Sequence, residues 1–418
     1  MLPRAKLSVL PNSLRLVTAS LPDSELTTAV IAVKTGARSE RPDERGISHL
    51  VEHQIFKSSQ QYATSAELNA ALAAIGAYYN ASTNMEYTYY TVSAPIKHAE
   101  AAIAILSDIV LHPRFLEKEF EREKRVVFEE LFRSHQQDDS YVEILFEDLM
   151  YQHQPLGWDI GGSLRTVRSL TRQKVQNYVR TWYAGRRMAV AIVGGGDMRK
   201  LQKQAVKIFS QVPEGKSRAW KPFHRGKTRL RARHRASGDK LTTMMIGVPG
   251  VNMGSPLMVP QELLRQVFGG ATSSRLYNRV REKEGLVYDI FASCDYYSDA
   301  GHMAVCTSAS AGHVRKVFSD ILDEMRKIVE VKITPTELKS AKAVLFSELA
   351  SIRDDHEELA AHYLKHVLIG GRLVQLQETW KTINTTSLET VQWLAWMMFW
   401  KKPWYVASIG PVKPLLRP

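Results

Sequence analysis

The sequence predicts an α+β protein of two homologous domains, each a sheet with helices on one side, because the chain runs through the same order of segments twice. The segment TAVIAVKTGA (28–37) corresponds in character to TTMMIGVPGV (242–251). The segment at 107–131, which ends in VVFEEL, parallels the one at 319–349, which ends in VLFSEL. Copies of about two hundred residues fit the usual size of a domain.

A basic linker separates the two copies. Residues 214–237 hold nine Lys or Arg against one acid, and so supply eight of the thirteen net positive charges. We therefore predict an N-terminal domain at 1–213, a basic linker at 214–238 and a C-terminal domain at 239–418. The alternation in RLRARHR favours a solvated linker that leads into an exposed strand. Nucleic acid could bind such a tract, but no recognition motif accompanies it, so we expect no specific nucleic acid partner.

Composition sets further bounds. Hydrophobic residues make up 44% of the chain, which is enough to build two cores. The chain contains no run of eighteen apolar residues, so no transmembrane helix is expected. Its first residues, MLPRAKLSVLPNSLRLVTASLP, lack the apolar stretch of a signal peptide.

The most informative short motif is His49-Leu50-Val51-Glu52-His53. On a helix, His49 and His53 lie one turn apart and project from the same face, with Glu52 beside them. Imidazole nitrogens are good zinc ligands, and a carboxylate near a zinc-bound water can serve as its base. The order H-x-x-E-H inverts the commoner H-E-x-x-H. Because a catalytic zinc site needs three protein ligands, the motif alone is only suggestive.

A helix downstream offers the third ligand. Residues 115–133, FLEKEFEREKRVVFEELFR, are charged on one side, apolar on the other and free of Gly and Pro. Glu123 and Glu130 are seven residues apart and can face the same point, whereas the neighbours Glu129 and Glu130 cannot both do so.

These residues resemble the pitrilysin/insulinase family of inverted-motif zinc metallopeptidases, which includes the processing peptidases of mitochondria and their bacterial relatives. The resemblance rests on HxxEH followed, after seventy-six residues, by Glu130. Gln54 departs from the pattern, since an apolar residue is usual there. Other segments resemble the family along nearly the whole chain: LPNSLRLVT (10–18), TGARSERPDERGISHLVEHQIFKSS (35–59), NASTNMEYTYYTVSAP (80–95), QPLGWDIGG (154–162) and GGATSSRLYNRVREKEGLVYDI (269–290).

The resemblance implies a set of metal ligands and catalytic residues. It makes His49, His53 and Glu130 the ligands of one Zn²⁺ per chain. Glu52 is then the general base of a peptide hydrolysis, and Glu123 a carboxylate that orients the metal site. The implied function is a zinc-dependent endopeptidase that cleaves unfolded peptides or presequence-like segments.

The resemblance also implies where substrate binds. The strand edge at 80–92 is expected to receive an extended peptide, with Asn80 and Ala81 nearest the bond to be cut. In the second copy, Arg281 is expected to end a helix begun near Ser273, and Tyr288 to lie on the strand that follows. This pair is implied to grip the substrate, with Tyr288 stabilising the oxyanion.

At the level of the whole molecule, the resemblance implies mostly antiparallel sheets and a chain that forms half of a clamshell around a closed chamber. We expect a homodimer in which Arg281 and Tyr288 act in trans on the partner's zinc site. The expected location is the bacterial cytoplasm.

The sequence also has alternative interpretations, for the function, for a second histidine pair and for the cysteines. A non-catalytic or partner-dependent subunit of a peptidase-like assembly is the alternative function. His362 and His366 are four residues apart on a predicted helix, but we favour a solvated helix face over a second metal site. Cys294 and Cys306 could meet across a hairpin, although reduced and buried thiols are favoured.

Overall fold

The computed structural model describes residues 2–226, 231–400 and 403–414. Within them, the chain forms two compact units. The first contains segments 2–133, 158–221 and 350–377, and the second contains segments 134–157, 222–349 and 378–414. The predicted boundaries at 213 and 239 separate the two copies along the sequence. Each compact unit, in contrast, also contains a segment from the other copy.

The first unit is built on a six-stranded sheet. Its strands are β1 (Ala5–Val9), β2 (Arg15–Ser20), β3 (Leu26–Val33), β4 (Tyr78–Thr83), β5 (Thr88–Pro95) and β6 (Met188–Gly194). They lie in the order β1-β2-β6-β3-β5-β4, so β4 is an edge strand. All neighbours run antiparallel except β2 and β6.

The second unit repeats this arrangement with five strands. They are β7 (Arg231–Arg235), β8 (Leu241–Pro249), β9 (Val287–Tyr296), β10 (Gly301–Ser310) and β11 (Tyr405–Ile409). Their order, β7-β11-β8-β10-β9, matches β2-β6-β3-β5-β4, and again a single pair, β7 and β11, is parallel. The predicted α+β class, with two homologous and mostly antiparallel sheets packed by helices, is confirmed.

Fourteen α-helices occur in the described part of the chain. They are α1 (Ile47–Ile55), α2 (Ser65–Ala74), α3 (Ala99–Leu111), α4 (Glu117–Ser134), α5 (Asp138–Met150), α6 (Leu164–Ser169), α7 (Arg172–Trp182), α8 (Met198–Phe209), α9 (Met258–Arg265), α10 (Val314–Glu330), α11 (Pro335–Asp354), α12 (His356–Leu368), α13 (Leu376–Thr385) and α14 (Leu388–Phe399). None of these helices combines the length and the apolar character needed to cross a bilayer.

Helices cover both faces of the first sheet, so the expectation of helices on one side is wrong. In β3, Ile31 and Val33 join the core that also contains α1 and α3. The opposite face of β3 and β6 is covered by α12. The sequence of β6 agrees with coverage on both faces, because strands covered on both faces are apolar throughout. Every residue of β6 is buried. In the second unit, α5 covers β8 and β11 in the same way.

The first part of the basic linker is anchored to the first unit. Trp220 packs near two cations, with Lys34 Nζ 5.1 Å and Arg38 Cζ 5.5 Å from its ring centroid. Arg38 also donates a hydrogen bond of 2.9 Å to the carbonyl oxygen of Lys221. The strand expected from RLRARHR is β7, at the edge of the second sheet. Residues 227–230 of the predicted linker lie outside the described residues.

The two cysteines are free thiols on neighbouring strands. Cys294 on β9 pairs with Met303, and Cys306 on β10 pairs with Phe291, so the two residues are not opposite each other. Burial raises the pKa of the Cys306 thiol to about 12 and raises that of Cys294 further. The structure thus contains two unpaired thiols of intermediate burial, and their reduced state stays a prediction.

Candidate metal centre

Helix α1 carries the HxxEH motif and begins at a sharp turn. Gly46 precedes it with φ 91°, and a Cβ at this position would lie 2.5 Å from the carbonyl oxygen of Gly161, so only glycine fits. The carboxylate of Glu40 then caps the helix, accepting hydrogen bonds from the backbone N–H of Gly46 (2.7 Å) and of Ser48 (2.8 Å). Ile47, Leu50 and Val51 are buried in the core on one side of α1. His49, Glu52 and His53 therefore lie on the other side.

The two motif histidines meet the carboxylate of Glu130 on α4. The His53 Nε2 to Glu130 Oε2 distance is 3.4 Å, and the His49 Nε2 to Glu130 Oε2 distance is 4.0 Å. The centroids of the two imidazole rings are 4.8 Å apart, and the interplanar angle is 85°. Helix α4 begins two residues later than predicted because Phe115 has φ 48°, outside the helical region.

Glu123 contacts the other nitrogen of His53. Its Oε2 lies 3.6 Å from His53 Nδ1, and its side chain is only 5% exposed. Lys57 Nζ at 3.2 Å and Arg122 Nε at 3.4 Å approach its second oxygen. The carboxylate therefore faces the ring edge that points away from Glu130, the position from which a second carboxylate orients a metal-binding imidazole.

The side chain of Glu52 is turned toward the edge strand. Its Oε2 accepts a hydrogen bond of 2.5 Å from the hydroxyl of Thr83, the last residue of β4. One donor atom from each of His49, Glu52 and His53 lies within 4.8 Å of the others. Glu52 is engaged by Thr83, whereas Glu130 lies close to both imidazoles, and the part of Glu130 as the third ligand stays a prediction.

Charge and burial act differently on the two histidines. Burial, aided by the neighbouring His53, lowers the pKa of His49, which favours the neutral imidazole that a metal requires. Burial also opposes the charged form of His53, but the hydrogen bond with Glu130 and the nearby carboxylates outweigh it and raise the pKa of His53. The same hydrogen bond lowers the pKa of Glu130.

The residues present fit a catalytic zinc ion. Two imidazoles and one carboxylate are a known donor set for such sites, and ligand atoms around a tetrahedral zinc lie roughly 3.3 Å apart. The separations of 3.4 and 4.0 Å between Glu130 and the two imidazoles are close to this value.

Gln54, which departs from the family pattern, links the two helices of the site. It is buried, and its side-chain amide donates a 3.3 Å hydrogen bond to the carbonyl oxygen of Phe120 on α4. The amide therefore links the last turn of α1 to the helix that carries Glu123 and Glu130.

Asn80 and Ala81 lie in the middle of the edge strand β4. The Asn80 amide donates a 3.0 Å hydrogen bond to Glu357 on α12, and its side-chain oxygen accepts one of 2.9 Å from the Ala81 backbone N–H. Their part in binding substrate stays a prediction.

Arg281 and Tyr288 lie in the second unit. Arg281 is in the last turn of a π-helical segment, Tyr277–Lys283, and Gly285 follows with φ 61°, in the left-handed region that favours glycine. Arg281 Nε donates a 2.7 Å hydrogen bond to the carbonyl oxygen of Tyr288, and its guanidinium carbon is 5.8 Å from the Tyr288 ring centroid. The Tyr288 side chain is 89% exposed, so its hydroxyl is open to a ligand.

The second copy lacks the histidine that corresponds to His53. The match of HQIF (53–56) to RQVF (265–268) aligns His53 with Arg265. Arg265 Nη2 lies 3.3 Å from Glu348, the residue that parallels Glu130. A guanidinium thus supplies the positive charge near this carboxylate. Among the described residues, only the first copy groups three metal-binding side chains.

The expectation of a solvated helix face at His362 and His366 is wrong. His366 is buried, and Nε2 of His362 is buried without a hydrogen-bond partner. Burial lowers the pKa of His362 to about 4 and that of His366 to about 3, so both are neutral at pH 7. In the described part of the chain, no third metal-binding side chain joins the pair.

The sequence reasoning missed three residues that organise the site. Thr83, Glu40 and Lys57 contact Glu52, the start of α1 and Glu123, respectively. The signal for Glu40 was present, since an acidic residue shortly before a helix is a common cap. Nothing in the local sequence marks Thr83 or Lys57.

Comparison with known families matches both copies. The family model described as Insulinase (Peptidase family M16) matches residues 15–163, which include the HxxEH motif and Glu130. The model described as Peptidase M16 inactive domain matches residues 169–345, which include Arg281 and Tyr288.

Relatives and solved structures agree with these models over almost the full chain. An uncharacterized zinc protease of Bacillus subtilis, YmxG, is 27% identical over 96% of this chain and 97% of its own. The mitochondrial-processing peptidase subunit beta of Saccharomyces cerevisiae is 26% identical over 98% of this chain and 92% of its own. The crystal structure of a protease from Helicobacter pylori matches 98% of this chain and 100% of its own with a TM-score of 0.89, at 19% identity, which supports the fold.

Proposed function

Because the chain belongs to peptidase family M16, we propose that it is a zinc-dependent endopeptidase that cleaves unfolded peptides or presequence-like segments. The observation that carries the proposal is the convergence of His49, His53 and Glu130, with Glu52 held beside them by Thr83. Zinc protease names among the relatives agree with the choice of metal.

The chain's residues divide the work of peptide hydrolysis. His49, His53 and Glu130 would hold the zinc ion, which would supply Lewis-acid activation of water at neutral pH. Glu52 takes the proton from the attacking water and returns it to the leaving amine. Glu123 contacts His53 through Nδ1 and so orients the ring, and His53 would bind the metal through Nε2.

Substrate binds as an added strand in this proposal. The edge strand β4 has no neighbouring strand on its outer side in the described sheet, so its backbone is available to an extended peptide. Asn80 and Ala81 then lie beside the bond to be cut, and Thr83 at the strand's end adjoins the base. Binding through the backbone selects unfolded segments over folded proteins.

The remaining residues that bind the substrate in this proposal belong to a second chain. We propose a homodimer in which each chain forms half of a clamshell around a closed chamber, with Arg281 and Tyr288 of one chain serving the zinc site of the other. Arg281 already orders the backbone at Tyr288, which leaves the Tyr288 hydroxyl to donate to the oxyanion. As part of the same proposal, the enzyme acts in the bacterial cytoplasm, where its two free thiols remain reduced.

A second candidate function is a non-catalytic or partner-dependent subunit of a peptidase-like assembly. It is favoured by one observation, that the model matching residues 169–345 describes an inactive domain. The intact motif in the first copy favours the peptidase, because a scaffold has no need of Glu52.

The test is cleavage of a quenched fluorescent peptide of about ten to twenty residues, long enough to occupy an edge strand. Chelation should abolish cleavage, zinc should restore it, and Glu52→Gln should lower kcat by about 10² to 10⁴-fold while still binding one zinc. Glu129→Gln, an exposed acid on α4, is the matched control and should cleave normally. One bound zinc per wild-type chain with no cleavage would favour the subunit function.

A further inference from the structure

The backbone of Ala81 points to the open side of the edge strand β4. At the turn that joins β4 to β5, the backbone N–H of Asn84 donates a 2.8 Å hydrogen bond to the carbonyl oxygen of Tyr87. Hydrogen-bonded and non-hydrogen-bonded pairs alternate along an antiparallel ladder, so the pair of Ala81 with Tyr90, three pairs further on, is non-hydrogen-bonded. The N–H and C=O of Ala81 therefore point away from β5, toward the outer edge of the described sheet.

The side chain of Asn80 occupies this outward N–H. Its Oδ1 accepts the 2.9 Å hydrogen bond from the Ala81 backbone N–H, and its Nδ2 donates the 3.0 Å hydrogen bond to Oε1 of Glu357. An extended peptide that adds to β4 needs the same N–H as the donor for one of its own carbonyl oxygens. The peptide and the Asn80 side chain therefore compete for one hydrogen bond.

Glu357 reaches β4 from the first turn of α12. Asp355 caps this helix, since its Oδ1 accepts hydrogen bonds from the backbone N–H of Glu357 (2.9 Å) and of Glu358 (3.0 Å). The Glu357 side chain is half-buried, whereas Glu358 is exposed. Helix α12 lies against β3 and β6 in the same compact unit as β4. A carboxylate from the second copy thus holds a side chain at the edge of the first sheet.

This contact is separate from the one that holds the proposed base. Side chains alternate between the two faces of a strand, so Asn80 and Thr83, three residues apart, lie on opposite faces of β4. Thr83 donates to Glu52 of α1 on one face, and Asn80 donates to Glu357 of α12 on the other. A change at Glu357 therefore acts on the hydrogen bonding of the edge and leaves the contact of Glu52 in place.

We propose, on the basis of the peptidase function above, that Glu357 is a positioning residue for the substrate. It holds the Asn80 side chain on the Ala81 N–H, and an extended peptide pairs fully with β4 only after one of its carbonyl oxygens has replaced Asn80 Oδ1. Removal of the Glu357 carboxylate releases Asn80 and favours the bound peptide. A residue of the second copy thus lowers the affinity of the first sheet for extended peptides.

Peptide binding to a chain that lacks the base tests the proposal. In the zinc-loaded Glu52→Gln protein, fluorescence anisotropy of a labelled extended peptide gives the dissociation constant. Adding Glu357→Ala should lower this constant about 3- to 10-fold, the factor that corresponds to one ordinary hydrogen bond. Glu357→Gln keeps an oxygen that accepts from Asn80 and should bind like the parent protein. Glu358→Ala removes the exposed carboxylate of the same turn and, as the matched control, should also bind like the parent.

Amide exchange tests the same contact without a substrate. Because Asn80 Oδ1 protects the Ala81 N–H, the segment Tyr78–Thr83 should gain about one fast-exchanging amide in Glu357→Ala. Hydrogen–deuterium exchange followed by mass spectrometry measures this, and Glu358→Ala should show no gain. Thermal unfolding of each variant, matched to the parent, establishes that the fold is retained.

The outcomes distinguish this inference from the function on which it rests. Unchanged or weaker peptide binding by the Glu357→Ala protein would overturn the inference and leave the peptidase function standing. Identical amide exchange in the Glu357→Ala protein and its parent would also overturn it. Absence of peptide binding by the Glu52→Gln protein, together with no cleavage by the wild type, would reject the peptidase function and this inference with it.

Discussion

Thr83 Oγ1 lies 2.5 Å from Glu52 Oε2, so the last residue of the edge strand holds the carboxylate that the proposed mechanism uses as its base. Thr83→Val keeps the shape of the side chain and removes the donor. Since a hydrogen bond to a charged group contributes about 1.5–3 kcal/mol, we expect kcat to fall about 10- to 100-fold. Steady-state kinetics with the fluorescent peptide measure this.

The conservative variant separates orientation from folding. Thr83→Ser retains the hydroxyl and should restore most of the activity, while the zinc content of both variants stays at one per chain. A Thr83→Val enzyme with an unchanged kcat would mean that Glu52 finds its working position without this contact.

Glu123 offers a test of metal affinity. It contacts His53 Nδ1 at 3.6 Å and is itself held by Lys57, so its carboxylate fixes the ring that would bind zinc. Glu123→Gln should weaken zinc binding about 10- to 100-fold, the usual effect of removing such an outer carboxylate. Competition with a chelator of known affinity measures the change. Glu129→Gln, exposed on the same helix, should bind zinc like the wild type, and equal affinities for both variants would contradict the assignment.

The grouping of the candidate metal ligands was predictable because each half of it lies within a single helix. His49, Glu52 and His53 share helix α1. The seven-residue spacing of Glu123 and Glu130 places both on one side of helix α4. Thr83 was not predictable, because its position depends on the pairing of β4 with β5 and on how α1 lies over that strand. Such contacts between distant segments leave no periodic signal in the sequence.

The fold class was predictable from the repeat, but the assignment of helices to sheets was not. Helix α12 comes from the second copy and covers β3 and β6 of the first sheet, while α5 comes from the first copy and covers the second sheet. Helical periodicity predicts that a helix has an apolar side but not which sheet will bury it. The burial of His366 follows from the same cause, since its helix lies against the first sheet.

The cap of α1 predicts a pH dependence. Burial raises the pKa of Glu40 to about 7, although the hydrogen bonds from Ser48 and Gly46 oppose this shift. The folded state therefore favours the protonated form. Its stabilising contribution is complete below the unfolded pKa of about 4.3 and is lost as the pH rises through about 7.

Glu40→Gln removes this titration. Between about pH 4.5 and 7.5, the wild type should lose about 3 kcal/mol of unfolding free energy relative to the variant. Urea unfolding of the zinc-free proteins across this range measures the difference. Parallel curves for the two proteins would show that Glu40 stays ionised in the folded state throughout.

The division of the site between chains can be tested by mixing two inactive variants. Arg281→Ala removes the group that orders the backbone at Tyr288, and Glu52→Gln removes the base. If Arg281 acts in trans, a mixed dimer has one complete site, and a random mixture should recover about a quarter of wild-type activity. Lys283→Ala, an exposed neighbour at the end of the same helical segment, is the control and should be active alone. A mixture that forms dimers but recovers no activity would place Arg281 and Glu52 of a single chain in one site.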